Sequence, residues 1–119
     1  MSKFDQLRIP EYLDHIIDAV QRIDRYTAGM TEVQFLDDEK TQDAVVRNFE
    51  IIGEACNNIS KKHPAFATLH AHIPWGFAYE MRNALAHGYH KVDFEIVWKT
   101  IHSDLHALMK NVEQIRRSL

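Results

Sequence analysis

The sequence predicts an all-α fold, an antiparallel up-and-down bundle of four main helices with short additional helices. Apolar residues recur every three or four positions over long stretches, as they do on one face of a helix, and no stretch shows the alternation of a strand. The length of 119 residues suits a single domain, so we expect one unit over residues 1–119. A bundle this small often extends its core by association, which favours a dimer.

The first long helix is predicted to begin at Pro10, because proline suits the first helical position. Its apolar face comprises Leu13, Ile16, Ile17, Val20 and Ile23. Gly29 should end it by adopting a left-handed conformation. Thr31 and Gln34 then have the spacing of a capping box, which predicts a short second helix ending at "DDEK".

The next long helix is predicted from about Asp38 to Ser60, where the buried seam comprises Val45, Phe49, Ile52, Cys56 and Ile59. Gly53 inside this helix suggests that another part of the chain passes close by. Pro64 should end the helix, since the residue before a proline avoids helical geometry. Residues 64–75 are expected to form a loop or short helix.

Pro74 can open a further helix with the sequence "PWGFAYEMRNALAH", which Gly88 should end. Asp93 is a candidate N-cap for the last helix. The apolar seam of that helix comprises Val97, Ile101, Leu105, Leu108, Val112 and Ile115.

Composition limits the possible functions. The net charge of −3 and the pI of about 6.2 show no bulk attraction for polyanions, so nucleic-acid binding would need a local site. The single cysteine fits a reducing compartment. The sequence shows neither a secretion signal nor a long apolar stretch, so we expect a cytoplasmic protein that does not contact the membrane.

The eight histidines raise the possibility of a zinc site. His102 and His106 are one helical turn apart, but a zinc site needs three or four donors, so we interpret the histidines as surface residues and expect no metal or cofactor. Cys56 lies on an apolar seam and is interpreted as a core residue, not a nucleophile. Phosphate-binding glycine loops and the serine-hydrolase motif are absent.

The stretch "RNALAHGYH" places Arg82, His87 and Tyr89 close together. A regular helix would hold His87 about 140° away from Arg82 around the axis, so an unbroken helix cannot gather all three side chains. Gly88 permits the backbone to leave helical geometry, and a second copy of the chain could supply the missing partner. The alternative is an ordinary helical surface with an extended arginine, a C-terminal histidine and a packed tyrosine.

The stretch "IPWGFAYEMRNALAHGYH" closely resembles the signature of HEPN-domain proteins, specifically the HepT-type toxins with their Arg-x4-His-x-Tyr motif. The motif corresponds to Arg82, His87 and Tyr89, followed as in the family by Asn83 after the arginine. The stretch "VVRNFEIIGEACNNIS" resembles the family's long second helix, with its Gly-Glu-Ala element at residues 53–55.

This resemblance implies a homodimeric, metal-independent endoribonuclease of a type VII toxin–antitoxin system, with Arg82 and His87 as catalytic residues in a cleft between subunits. The substrate would be RNA, either tRNA or mRNA. The implied antitoxin is a minimal nucleotidyltransferase of the MntA type, which transfers AMP to Tyr89 and silences the toxin. Asn83 could support Arg82 or hold a phosphate, and Glu54 could pair with Arg82. The alternative is a non-catalytic module that binds substrate or partner within a nucleotidyltransferase complex.

Overall fold

The computed structural model describes residues 3–77, 81 and 92–119, and their side chains from residue 9 onward. Within these ranges the chain forms no strand, and its helices are α1 (Lys3–Thr27), α2 (Glu32–Leu36), α3 (Glu39–Lys62), α4 (Pro64–Leu69), α5 (Phe94–Ser103) and α6 (Leu105–Ser118). The predicted all-α class is confirmed. None of the helices in this part of the chain is long and apolar enough to cross a lipid bilayer.

Helix α1 begins well before the predicted start, and Pro10 lies inside it. The prediction that Pro10 opens the helix was wrong. Proline removes a single intrahelical hydrogen bond, and helical geometry in the preceding residues carries the helix past that gap. The predicted end is confirmed, because α1 stops at Thr27 and Gly29 has a φ of +75°, in the left-handed region that glycine adopts without strain.

The capping box that precedes α2 is also confirmed. The backbone N–H of Gln34 donates to Thr31 Oγ1 at 3.2 Å, and the backbone N–H of Thr31 donates to Gln34 Oε1 at 2.9 Å. These two bonds satisfy N–H groups that the first helical turn leaves without partners. The short helix thereby fixes Phe35, which is fully buried.

Helix α3 is two residues longer than predicted at its C-terminal end, and Asp38 is its N-cap. The predicted seam is confirmed, since five residues on it have no exposed surface: Val45, Phe49, Ile52, Cys56 and Ile59. His63 leaves helical geometry with φ −133° and ψ 60° immediately before Pro64, as predicted. Pro64 then occupies the start of α4.

The chain from α4 to the motif region is fixed by Trp75. Its indole N–H is shared between two carbonyls, those of Ala67 and His70, at 3.1 Å each. Pro74 precedes a turn and does not open the next helix, because helical geometry begins at Phe77. The predicted end of that helix at Gly88 lies outside the described residues.

The predicted last helix is two consecutive helices, α5 and α6, separated at Asp104. The hydroxyls of Thr100 and Ser103 donate to carbonyls one turn earlier, at 2.8 Å each. Such bonds often bend a helix, which accounts for the break that the apolar periodicity did not predict. All six predicted seam residues, listed above from Val97 to Ile115, are buried.

Helix α1 contacts both α3 and α6, so its apolar face forms the centre of the core. It runs antiparallel to α3, because Tyr12 lies near Lys62 and Arg22 lies near Asn48. An ion pair between Arg116 and Asp14, with Nε and Oδ1 2.9 Å apart, joins α6 to α1. The C-terminal ends of α3 and α6 therefore lie at the same end of the bundle as the first half of α1.

Candidate functional site

The four site residues predicted from the sequence, Arg82, Asn83, His87 and Tyr89, lie outside the described residues. The chain before them is anchored in the core. Phe77 and Met81 are 5% and 4% exposed, and the ring of Phe77 lies 6.1 Å from that of Phe49 on α3, centroid to centroid.

The chain that follows the motif is also anchored in the core. Val92 packs against the core, and Asp93 caps α5 by accepting from the backbone N–H groups of Glu95 and Ile96 at 3.1 and 3.2 Å. The ring of Phe94 meets Phe35 edge-on with 6.1 Å between centroids. The motif therefore lies between two anchored points of the chain, 11 positions apart from Met81 to Val92.

A groove of about 340 Å³ lies between α1 and α3. Its lining combines an apolar floor with polar and charged side chains: Tyr12, His15, Asp18, Arg22, Ile51, Glu54, Ala55 and Asn58. The volume is in the range of small-molecule pockets. One guanidinium and two carboxylates face it together with an imidazole and an amide, so the groove can offer hydrogen bonds of both kinds but no concentrated positive charge.

Several of these side chains are fixed by neighbours. Arg22 donates from Nη1 to Asn48 Oδ1 at 3.1 Å, while Asn48 donates to the carbonyl of Ala44 at 2.8 Å. Lys62 Nζ lies 3.5 Å from the hydroxyl of Tyr12, whose ring is 3% exposed. Tyr12, Arg22, Asn48 and Lys62 were not predicted from the sequence to lie at a site. The available signal was the recurrence of Tyr12, His15 and Arg22 on one face of α1.

The Gly-Glu-Ala element of α3 meets this groove. Glu54 is exposed on its rim, Ala55 forms part of its lining, and Gly53 is buried. The suggested pairing of Glu54 with Arg82 involves a residue outside the described ranges and stays a prediction.

The remaining candidates from the sequence have structural explanations. Cys56 is fully buried, and burial raises the pKa of its thiol to about 12, so the reactive thiolate is disfavoured and its interpretation as a core residue is confirmed. His102 packs on Trp98 with ring centroids 4.2 Å apart, and its Nδ1 lies 2.9 Å from the carbonyl of Trp98. In the described ranges, no three His, Cys, Asp or Glu side chains are arranged to hold a metal ion.

Comparison with known proteins gives one consistent result. The family model described as "Ribonuclease HepT-like" matches residues 16–115. The chain is 40% identical over 107 residues to "Probable ribonuclease HepT" of Thermococcus cleftensis, covering 90% of this chain and 94% of the relative.

Two further relatives carry RNase in their names. The first, from Methanocaldococcus jannaschii, is 32% identical over 91% of this chain and 87% of its own length. The second, from Caldanaerobacter subterraneus, is 35% identical over 87% of this chain and 90% of its own length. No solved structure matches the chain. The chain belongs to the HepT-like ribonuclease family.

Proposed function

We propose that this protein is a metal-independent endoribonuclease and the toxin of a type VII toxin–antitoxin system. One HEPN-like domain formed by residues 1–119 acts as a homodimer in the cytoplasm and cleaves tRNA or mRNA. The observation that carries the proposal is the unbroken Arg-x4-His-x-Tyr spacing at residues 82–89, within the region that the family model matches.

The residue types suit this reaction. RNA supplies its own nucleophile, the 2′-hydroxyl, so an enzyme needs a base for that proton, an acid for the 5′-oxygen and positive charge for the phosphorane. His87 can serve as base or acid, because imidazole titrates near neutral pH. Arg82 stays charged and offers a planar set of donors to phosphate, which Asn83 can supplement. The products are a 2′,3′-cyclic phosphate and a 5′-hydroxyl.

Tyr89 suits control better than catalysis, because an unperturbed phenol has a pKa of about 10 and is a poor base at neutral pH. We propose that a minimal nucleotidyltransferase antitoxin of the MntA type transfers AMP from ATP to its hydroxyl: the phenol oxygen bonds to the α-phosphorus, pyrophosphate leaves, and the phenol proton passes to solvent. The added phosphodiester brings negative charge, which opposes RNA binding at Arg82 as phosphorylation would.

The proposal is tested by incubating the purified protein with tRNA and mRNA in EDTA. We expect cleavage that persists in the chelator and depends on Arg82 and His87. If the RNA stays intact at high protein concentration, the proposed ribonuclease activity is rejected. The acidic overall charge favours a second candidate in that case, a non-catalytic module that binds the nucleotidyltransferase, and a stable complex with unmodified Tyr89 would support it.

A further inference from the structure

The charges of this chain are unevenly distributed. Residues 55–79 contain no Asp or Glu, although they include Lys61, Lys62 and three of the eight histidines. The other residues hold 12 Lys and Arg against all 17 acidic residues, which is a formal charge of −5 outside this stretch and +2 within it. A protein that repels polyanions through its bulk charge therefore has a segment here that attracts them, as residues 81–92 also do with Arg82, Lys91 and no acidic residue.

The fold places the two lysines of this segment on the surface. Lys61 and Lys62 form the last turn of α3, and both are exposed. Neither lies within ion-pairing distance of a carboxylate among the residues that the structure describes. By contrast, Lys99 and Lys110 each have a glutamate within one turn of their helices, at positions 95 and 113. The two lysines at the end of α3 thus form no ion pair with the described residues, and the ammonium of Lys62 donates only to the Tyr12 hydroxyl, at 3.5 Å.

A set of rings follows directly after these lysines. The centroids of Phe66 and His70 are 4.6 Å apart, and those of His70 and His72 are 6.0 Å apart. His72 is exposed, while Phe66 and His70 are partly exposed. Because the indole of Trp75 binds the carbonyl of His70, the backbone that carries the rings is held in place before any ligand arrives. We name this surface, formed by Lys61, Lys62, Phe66, His70 and His72, the α3–α4 corner.

We propose that the α3–α4 corner binds single-stranded RNA, with phosphates at the two lysines and unpaired bases stacked on the rings. The inference rests on the proposed function, since it identifies where part of the RNA substrate lies. Lysine ammonium groups neutralise phosphates without regard to sequence. Phenylalanine and histidine rings stack on unpaired bases, which is how single strands are held without sequence readout.

The combination of charges and rings fits a single-stranded nucleic acid better than an acidic peptide, and the proposed ribonuclease function makes that nucleic acid RNA. An acidic peptide would use the lysines but would gain little from exposed flat rings. Phe66 follows Lys62 by only four positions, so their Cα atoms lie at most about 14 Å apart and one short strand can reach both. The groove between α1 and α3 is a poorer candidate for RNA, because Asp18 and Glu54 line it.

The test measures binding of a fluorescein-labelled, unstructured RNA dodecamer to the full chain by fluorescence anisotropy at several salt concentrations. All proteins carry Arg82→Ala to prevent cleavage. The test variant is K61Q/K62Q, and the matched control is K99Q/K110Q, which removes the same number of charges from exposed positions on α5 and α6. Thermal unfolding of each protein checks that it is folded.

We expect K61Q/K62Q to bind RNA at least about tenfold more weakly at low salt and to reduce the slope of log K against log salt by about 1.4, or 0.7 for each lost phosphate contact. The control should keep the slope of the parent protein. His70→Ala should weaken binding of the dodecamer about fivefold or more while leaving binding of an abasic oligomer unchanged, because only stacking is lost.

Equal losses in the two double variants, or no loss in K61Q/K62Q, would overturn the inference. RNA cleavage by proteins that retain Arg82 separates this result from the proposed function. Normal cleavage by K61Q/K62Q, together with an unchanged salt slope, would reject the corner and leave the ribonuclease intact. If K61Q/K62Q reduces the salt slope of RNA binding but no protein that retains Arg82 cleaves RNA, the ribonuclease is rejected and the corner remains an RNA-binding surface.

Discussion

The side chain of Gln42 holds the end of α2 through Phe35. Its Nε2 donates to the carbonyl of Phe35 at 2.9 Å and to that of Leu36 at 3.0 Å, and Gln42 itself is 8% exposed. The last carbonyls of a helix lack intrahelical partners, so this buried amide satisfies two of them. Because the ring of Phe35 meets Phe94 and Trp98, the contact also supports the start of α5, close after the motif.

Gln42→Ala should destabilise the protein by about 1–2 kcal/mol, because the carbonyl of Leu36 loses its donor and the carbonyl of Phe35 keeps only the backbone N–H of Asp38, at 3.2 Å. Urea unfolding at pH 7 measures this change. Gln114→Ala, at an exposed position of α6, is the matched control and should change stability by no more than about 0.5 kcal/mol. Equal stabilities for the two variants would show that the carbonyls find other partners.

Asp38 should stabilise α3 more strongly while its carboxyl is ionised. The backbone N–H of Thr41 donates to Oδ1 at 3.0 Å and its hydroxyl to Oδ2 at 2.8 Å, and these bonds lower the pKa of Asp38 below its ordinary value of 3.8. A lowered folded-state pKa gives a contribution that is present above pH 3.8 and is lost as pH falls through the folded value.

Asp38→Ala should therefore unfold at a lower temperature than the unmodified protein at pH 7, and the difference should shrink below pH 3.8. Asp38→Asn should keep most of the stability at pH 7, because an amide oxygen also accepts from the first helical turn. Thermal unfolding from pH 3 to 7 tests this, with exposed Asp43→Ala as the control on the same helix. A constant difference across this range would contradict the linkage.

Cys56 should make the protein less stable in alkaline solution. Burial raises the pKa of its thiol from 9.0 to about 12, so above pH 9 the unfolded chain loses a proton that the folded chain keeps. A raised folded-state pKa gives stability that is fully present below pH 9 and declines by up to about 1.4 kcal/mol per pH unit as pH rises toward the folded value.

Unfolding free energies of the unmodified protein and Cys56→Ala between pH 8 and 11 test this difference. The variant should be less stable at pH 8 because it loses buried volume, and its stability should decline less steeply above pH 9. Parallel curves would mean that the thiol does not contribute to the alkaline decline.

Tyr89 is the residue through which the antitoxin should act. Tyr89→Phe should retain RNA cleavage, because the phenol is not part of the proposed acid–base chemistry, but co-expression with the nucleotidyltransferase should no longer silence it. Intact-mass spectrometry should find AMP on the unmodified protein and none on the variant. Tyr26→Phe, at an exposed tyrosine of α1, is the control and should still acquire AMP. AMP on the Tyr89→Phe variant would show that the antitoxin modifies a different residue.

Features that depend on a few neighbouring residues could be predicted from the sequence. The capping box at Thr31 and Gln34 and the N-cap at Asp93 follow from side chains that reach the next helical turn, and the structure contains both. The start of α1 was not predictable in this way, because the signal at Pro10 was compatible with both a helix start and a helix interior. The break at Asp104 was missed because the apolar pattern continues through it.

Contacts between distant parts of the chain had no signal in a single sequence. The bond from Arg22 to Asn48 joins residues 26 positions apart, and the groove that Arg22 lines became visible only with α1 and α3 packed together. The motif was visible because its residues are close in sequence. The roles of Arg82, His87 and Tyr89 rest on that spacing and on the family, since these residues lie outside the described ranges.

The most direct test of the ribonuclease is to compare product ends and cleavage rates of four variants on one labelled RNA in EDTA. Arg82→Ala and His87→Ala should each slow cleavage by about a hundredfold or more. Arg117→Ala and His106→Ala, at exposed positions of α6, should cleave at the unmodified rate. The products should carry 2′,3′-cyclic phosphate and 5′-hydroxyl ends. Undiminished cleavage by Arg82→Ala and His87→Ala, or products with 3′-hydroxyl ends, would rule out the proposed mechanism.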